Sequence, residues 1–268
     1  MPALAQDASH MTINVLEGYL IQNIFAVLLI FARFGAAIML LPGFGESYVY
    51  PRARILIALA ISLVMAPLLE PHLPSVPTSP GSLVVLLLSE ILIGLMLGML
   101  ARMLLAIMHV TGMIISYQSS LALATQFDSS QVTQGSIIGN FFSLFALMLI
   151  FAFDLHHMLL RGVADSYSIL LPTNNPPLED MASYMVDTVA LVFRIGIQLA
   201  APSIVSGLLL YLAAGALSRI MPNMQVFFVI MPLQLYISFF ILMITTVGIL
   251  TEWVEVFSTT YSEWMEGL

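Results

Sequence analysis

Residues 83–108 read LVVLLLSEILIGLMLGMLARMLLAIM, and this stretch decides the fold. Apart from Ser89, Glu90 and Arg102 it carries no polar or charged side chain. A helix crosses the hydrocarbon core of a bilayer in roughly 20 residues, and this run is longer. The strands of a membrane barrel would alternate polar and apolar side chains over about 10 positions. Nothing alternates here. Backbone groups in lipid must bond within their own helix or around a closed barrel, so the run is a membrane-type helix.

The pattern recurs on both sides of it. Leu20–Leu41 is apolar but for Gln22, Asn23 and Arg33, and ends at Pro42-Gly43-Phe44-Gly45, turn chemistry that a helix cannot continue. Ala53–Leu69 closes at Pro71, and Pro74, Pro77 and Pro80 predict an extended connector behind it. Ile137–Phe153 is a fourth run. Asp154–Asp180 reads as a long polar connector ending in Pro172-Thr173-Asn174-Asn175-Pro176-Pro177. Met181–Leu217 is too long for one ordinary span. Ala201-Pro202 lies at its middle, where a proline removes a backbone bond and crowds the preceding turn, predicting a kink or two half-helices. Arg219–Asn223 reads as a short turn, Val226–Leu250 as the last run, and Glu252–Leu268 as an acidic, aromatic tail. The expected fold is therefore all-α and polytopic: residues 1–268 form one membrane-embedded unit of helical hairpins with six passes.

Composition agrees. The chain has 268 residues, 60% hydrophobic and 8% charged, against about 25% charged in a soluble domain. A net charge of −8 excludes the basic footprint that nucleic-acid binding needs. There is no cysteine, so disulfides and thiolate chemistry are excluded. Met1–His10 has neither a positive region nor an apolar one of signal-peptide type, so the first run is expected to stay as an anchor. Arg52, Arg54, Arg102 and Arg219 fall mostly on one side of a six-pass chain. The positive-inside rule makes that side cytoplasmic and both termini external.

Charges inside apolar runs are the candidate functional residues. Arg33, Arg54, Glu90, Arg102, Asp154, Asp187, Arg194 and Arg219 lie within or beside the predicted helices. At bilayer depth a charge costs from about 2.5 kcal/mol upward, so it faces protein and pairs. Such pairs hold subunits together or serve transport, and the structural role is the commoner one. Asp187, Arg194 and Gln198 share a helical face, as do Glu90, Gly94 and Gly98. The Gly94-x-x-x-Gly98 spacing admits a second helix backbone at close range. Val110–Gln134 is too polar for lipid and too apolar for a free loop, which suits an interior, a pore lining or a protein contact. His156 and His157 beside Asp154 are read as interfacial residues, because adjacent histidines face different sides of a helix. No Ser-His-Asp order, Walker loop or dinucleotide glycine pattern occurs. No catalysis, cofactor or metal is expected.

Several of these features, in this order, resemble the family of the flagellar biosynthesis protein FliR and its virulence type III secretion relatives. The carriers are Arg33 with Pro42-x-Phe44-Gly45 and Arg52-x-Arg54; Glu90-x-x-x-Gly94-x-x-x-Gly98; Gly112–Asp128 with Gln118 inside it; Phe153-Asp154-Leu155-His156; Ala201-Pro202; and Arg219–Phe227. The resemblance implies a subunit of a protein-export gate in the bacterial inner membrane at the flagellar basal body. Its partners would be FliP, FliQ and FlhB, with unfolded proteins in transit and membrane lipid around it. It implies a coiled, conical assembly raised toward the periplasm, in which a six-span count from hydropathy need not hold. It also implies that residues 112–130 match the loop that plugs the closed path, with Gly112, Ile114, Ile115, Gln118, Ser119, Ser120, Leu121, Phe127 and Asp128 as its candidates. Two positions depart from the family pattern. Ser120 stands where glycine is frequent, and Ser129 stands where proline often follows the aspartate. The equivalent injectisome subunit is the near alternative. A small-solute transporter is the distant one, since it predicts broken helices in paired repeats and only Pro202 marks a break.

Overall fold

A computed structural model of the chain describes residues 2–120, 136–172, 176–221 and 226–267. Seven helices account for most of them: α1 (Pro2–Leu40), α2 (Pro51–Leu69), α3 (Pro80–Gln118), α4 (Ile137–Ala152), α5 (Leu155–Ile169), α6 (Leu178–Ile220) and α7 (Val226–Gly267). A single 3-10 turn, Glu70–His72, follows α2. No strand occurs among the described residues.

Local chemistry sets the ends. α2 starts on Pro51, whose missing N–H has no bond to lose in a first turn. Ser79 accepts the Ser82 N–H ahead of α3 at 3.1 Å, and Ser136 accepts the Gly139 N–H ahead of α4 at 2.9 Å, each satisfying an orphan donor. α6 carries Glu179 and Asp180 in its first turn and Arg219 in its last, charges that oppose the helix dipole. Between α1 and α2 the turn folds back so tightly that a Cβ on Gly45 would lie 2.5 Å from the Met39 carbonyl oxygen.

Five helical stretches are long and apolar enough to cross a membrane: Leu20–Leu40, Pro51–His72, Pro80–Gln118, Leu178–Ile220 and Ile230–Glu266. Counting α4 with α5 as one broken span makes six. The chain is an all-α polytopic membrane protein.

Its described residues group into two compact units. The first holds Met1–Ala101, His156–Ala182 and Trp264–Leu268. Its core includes Phe25, Leu29 and Leu86, covered by Leu73, Val76, Leu83 and Leu87. The second holds Arg102–Leu155 and Ser183–Glu263. It buries Leu104 and Ile107 of α3, Phe142, Ala146 and Ile150 of α4, and Trp253, Phe257 and Tyr261 of α7. Trp253 Nε1 donates to the Leu104 carbonyl oxygen at 3.0 Å, tying α7 to α3.

Four expectations change. The polar connector Asp154–Asp180 contains helix α5, which buries Leu159, Val163, Ser166 and Tyr167, with Leu170 buried just beyond its end, and turns His157, Arg161, Asp165 and Ser168 outward. Its polar residues recur at helical spacing on one face, so their number misleads where their period does not. α3 runs ten residues beyond Met108 and ends at Gln118. The acidic tail continues α7 to Gly267, because Trp253, Phe257 and Tyr261 recur every fourth residue on a buried face. Finally, α6 passes through Pro202 as one helix, which rules out the two half-helices of the expectation, and α7 likewise contains Pro232. Membrane-type helices tolerate proline where neighbours re-satisfy the freed carbonyl.

Candidate functional site

Two clusters of polar residues stand out, one in each unit. In the first, Arg33 on α1 and Glu90 on α3 are both fully buried. Arg33 Nε donates to Glu90 Oε2 at 2.8 Å, and Nη2 donates to Oε1 at 2.9 Å. This two-pronged geometry is the strong form of a charged hydrogen bond. Nη1 donates to Ser166 Oγ at 2.9 Å, and Nη2 also reaches the Leu170 carbonyl oxygen at 2.8 Å. The Ser166 hydroxyl in turn donates to the Val163 carbonyl oxygen at 2.7 Å. The Tyr167 ring lies under the guanidinium, its centroid 3.8 Å from Cζ, a cation–π arrangement. Arg33 thus joins α1, α3 and α5 at one point.

The glycines beside Glu90 make that point possible. A Cβ on Gly94 would collide with the Arg33 carbonyl oxygen and come within 3.0 Å of Ala36 Cβ. One on Gly98 would lie 2.7 Å from the Ala37 carbonyl oxygen and 2.9 Å from Leu40 Cβ. The face shared by Glu90, Gly94 and Gly98 is therefore the face on which α3 meets α1. Sequence reasoning missed Ser166, Tyr167 and the Leu170 carbonyl. The helical spacing of α5 was the signal for the first two, and a backbone acceptor leaves none.

The second cluster surrounds the C-terminal end of α3. Gly112 packs backbone to backbone on α4, where its Cβ would lie 2.6 Å from Gly139 Cα. The Ser136 hydroxyl donates to the Gly112 carbonyl oxygen at 3.3 Å. Thr111 Oγ1 reaches the Gly196 carbonyl of α6 at 3.3 Å. Ile115 and Ser119 are buried, and Ile114, Gln118 and Ser120 are half-buried. Ser120 has φ 60°, in the left-handed region, which favours glycine. Leu121, Phe127 and Asp128 lie outside the described residues.

The remaining charges sit apart from both clusters. Arg54 is half-buried and donates through Nη2 to the Glu46 carbonyl oxygen. Arg102 is half-buried. Asp154 is exposed at φ 57°. Asp187, Arg194 and Gln198 all face outward from α6, and so do Pro202 and Arg219. Among the described residues Asp187 and Arg194 form no ion pair with each other. The His156 and His157 ring centroids lie 4.1 Å apart, so adjacency on the first turn of α5 does not separate them as the helix-face argument expects.

Long apolar helices, with a buried ion pair at a glycine-notched crossing, define a helical membrane protein. The family described as bacterial export proteins, family 1, matches residues 24–260, and the chain belongs to it. The chain is 36% identical over 233 residues to the flagellar biosynthetic protein FliR of Caulobacter vibrioides, covering 87% of this chain and 93% of that one. The FliR of Bacillus subtilis is 29% identical over 238 residues, 88% and 91% of the two chains. That of Escherichia coli is 29% identical over 204 residues, 76% and 77%.

Proposed function

We propose that this chain is a subunit of the flagellar type III export gate in the bacterial inner membrane, and that residues 112–130 help close the path for unfolded substrates. The family match over residues 24–260 supports an export role, and the names of its relatives favour the flagellar version over the injectisome one. FliP, FliQ and FlhB are the partners this reading calls for, in an assembly raised toward the periplasm. Driving energy would come from them. The observation that carries the closing role is the fixing of α3 before the segment begins. Gly112 packs on Gly139, Thr111 bonds to Gly196, and α3 stays helical to Gln118. A stopper needs a rigid stem and a yielding tip. Ile114, Leu121 and Phe127 supply apolar sealing surface, while Ser119 and Ser120 make individually weak contacts that a passing chain can displace.

The test deletes part of 121–130 in cells that express the full gate. Ion leak across the membrane and recovery of the complex are measured on the same cells. Raised leak with an intact complex is expected. A broken complex without leak would make the segment an ordinary packing element.

A further inference from the structure

The C-terminal end of α3 is held by residues that none of the motifs above includes. A helix leaves its last four carbonyls without intrahelical partners. Here Ile115 O accepts the Ser119 N–H at 2.9 Å, and Ser116 O accepts the Ser119 hydroxyl at 3.0 Å. Among the described residues the Gln118 carbonyl has no such local partner. Gln234, buried on α7, supplies it: Nε2 donates to Gln118 O at 2.6 Å. The same nitrogen lies 3.4 Å from the Tyr211 hydroxyl of α6. Because the acceptor is a carbonyl, the amide must present its nitrogen, not its oxygen. The Gln118 side chain goes elsewhere. Its amide fills a notch on α6 that exists only because residue 207 is glycine. A Cβ there would run into Gln118 Oε1 and lie 3.1 Å from Cδ. One residue of α3 is thus gripped by two helices, through its carbonyl and through its side chain.

We infer that Gln234 and Gly207 are positioning residues that fix the stem of the closing segment, so that they set how tightly the path shuts. This rests on the reading that the segment after α3 closes the path. A glutamine in an apolar helix needs a polar partner, but any neighbouring carbonyl would serve that need. The partner it has is the last helical residue before the segment. The two grips are also unlike core packing. The Gln234 grip is one hydrogen bond, so losing it shifts the balance between held and released stems by a factor of roughly 2 to 12 and leaves the helix bundle in place; the Gly207 grip is a steric fit to the Gln118 side chain.

Variants of the whole chain in the full gate test this. Gln234→Met keeps the length and loses the donor; Gln234→Glu keeps the shape and opposes an acceptor to an acceptor. Both should raise potassium leak in membrane vesicles roughly 2- to 12-fold at unchanged complex recovery. Gly207→Ala should raise the leak in the same direction, since it displaces the flexible end of Gln118. A cross-link supplies the control. The Cβ of residue 207 would lie 3.6 Å from Gln118 Cβ, within the roughly 3.5–4.5 Å that disulfides span, and the chain has no other cysteine. Gln118→Cys with Gly207→Cys should therefore bridge on mild oxidation. In a Gln234→Met background the bridge should lower the leak, and reduction should restore it.

Failure to bridge would overturn the geometry. Normal leak in Gln234→Met and Gln234→Glu, with complex recovered, would reduce Gln234 to a capping residue and overturn the inference. Deletion within 121–130 separates the levels. Leak on deletion without leak in the Gln234 variants sinks the inference alone. No leak in either sinks the closing role beneath it.

Discussion

Arg33 is the residue on which the first unit turns, and its energetics are asymmetric. Both charges of the Arg33–Glu90 pair are fully desolvated, so their attraction mostly repays the cost of leaving water. Removing one partner strands the other, which typically costs about 3–5 kcal/mol. Removing both and filling the space is often neutral. Arg33→Met should thus lower the unfolding midpoint of the purified complex sharply, and Arg33→Met with Glu90→Met should recover most of it. Thermal unfolding followed by intrinsic fluorescence checks this. A double variant as weak as the single one would mean that Ser166, Tyr167 and the Leu170 carbonyl need the guanidinium itself. At the other cluster, Ser120 sits at φ 60°. Glycine there relieves roughly 1–2 kcal/mol of left-handed strain. It adds about 0.4–1 kcal/mol of unfolded-chain entropy. Ser120→Gly should stabilise by a net ~0.5–1 kcal/mol in chemical denaturation of the same complex. A loss of stability would show that the Ser120 hydroxyl makes a contact worth more than the strain.

At the scale of helices, the crossing of α1 and α3 depends on two missing side chains. Gly94 and Gly98 oppose backbone atoms of α1, which cannot swing aside as a flexible side chain does. Gly94→Ala or Gly98→Ala must push the helices apart, at roughly 1–3 kcal/mol for overpacking, and Gly94→Ala also disturbs Arg33. Gly215 and Gly248 face open space. Alanine there should leave the stability of the purified chain unchanged or raise it by up to about 1 kcal/mol, through helix propensity alone. Melting curves of the four variants distinguish the two classes, and equal effects would refute the crossing argument. The Gly94–Gly98 face was legible in sequence because spacing alone sets it. The partner of Glu90 was not. Charge told that Arg33 needed a carboxylate, but Glu90, Asp154 and Asp187 all lie within or beside apolar runs, and only packing selects one. α5 was misread for a different reason. His157, Arg161, Asp165 and Ser168 look like loop composition until their period is counted. The ends of α3 and α7 were set short because hydropathy fades before helicity does. Trp253 and Tyr261 keep their turns helical by burial on one face, with glutamates on the other.

For the molecule as a whole, the informative surface is the one it leaves uncovered. Half of the most apolar window is buried in α1 and in α3, against 28% in α6 and 17% in α7. Phe193, Ile197, Leu208 and Leu212 of α6 and Tyr236, Phe240, Met243 and Val247 of α7 all face outward. Lipid would cover these side chains at no cost. It would not cover Asp187, Arg194 and Gln198, which lie along an outward face of α6 in the same apolar setting. A charge at bilayer depth costs from about 2.5 kcal/mol upward, and Asp187 and Arg194 stand two turns apart, without an ion pair between them among the described residues. We therefore expect their neutralising partners on another chain. It would offer a carboxylate to Arg194, for which a guanidinium fork is better matched than an ammonium, and a donor to Asp187. Arg194→Ala strands the partner's carboxylate, so the complex recovered by affinity purification should fall, while export per recovered complex stays at the wild-type level. Arg194→Lys keeps the charge and loses the fork, and should fall between. Normal recovery of the Arg194→Ala complex with lost export would instead place Arg194 on the transport path, and α6 would then line that path, not an interface.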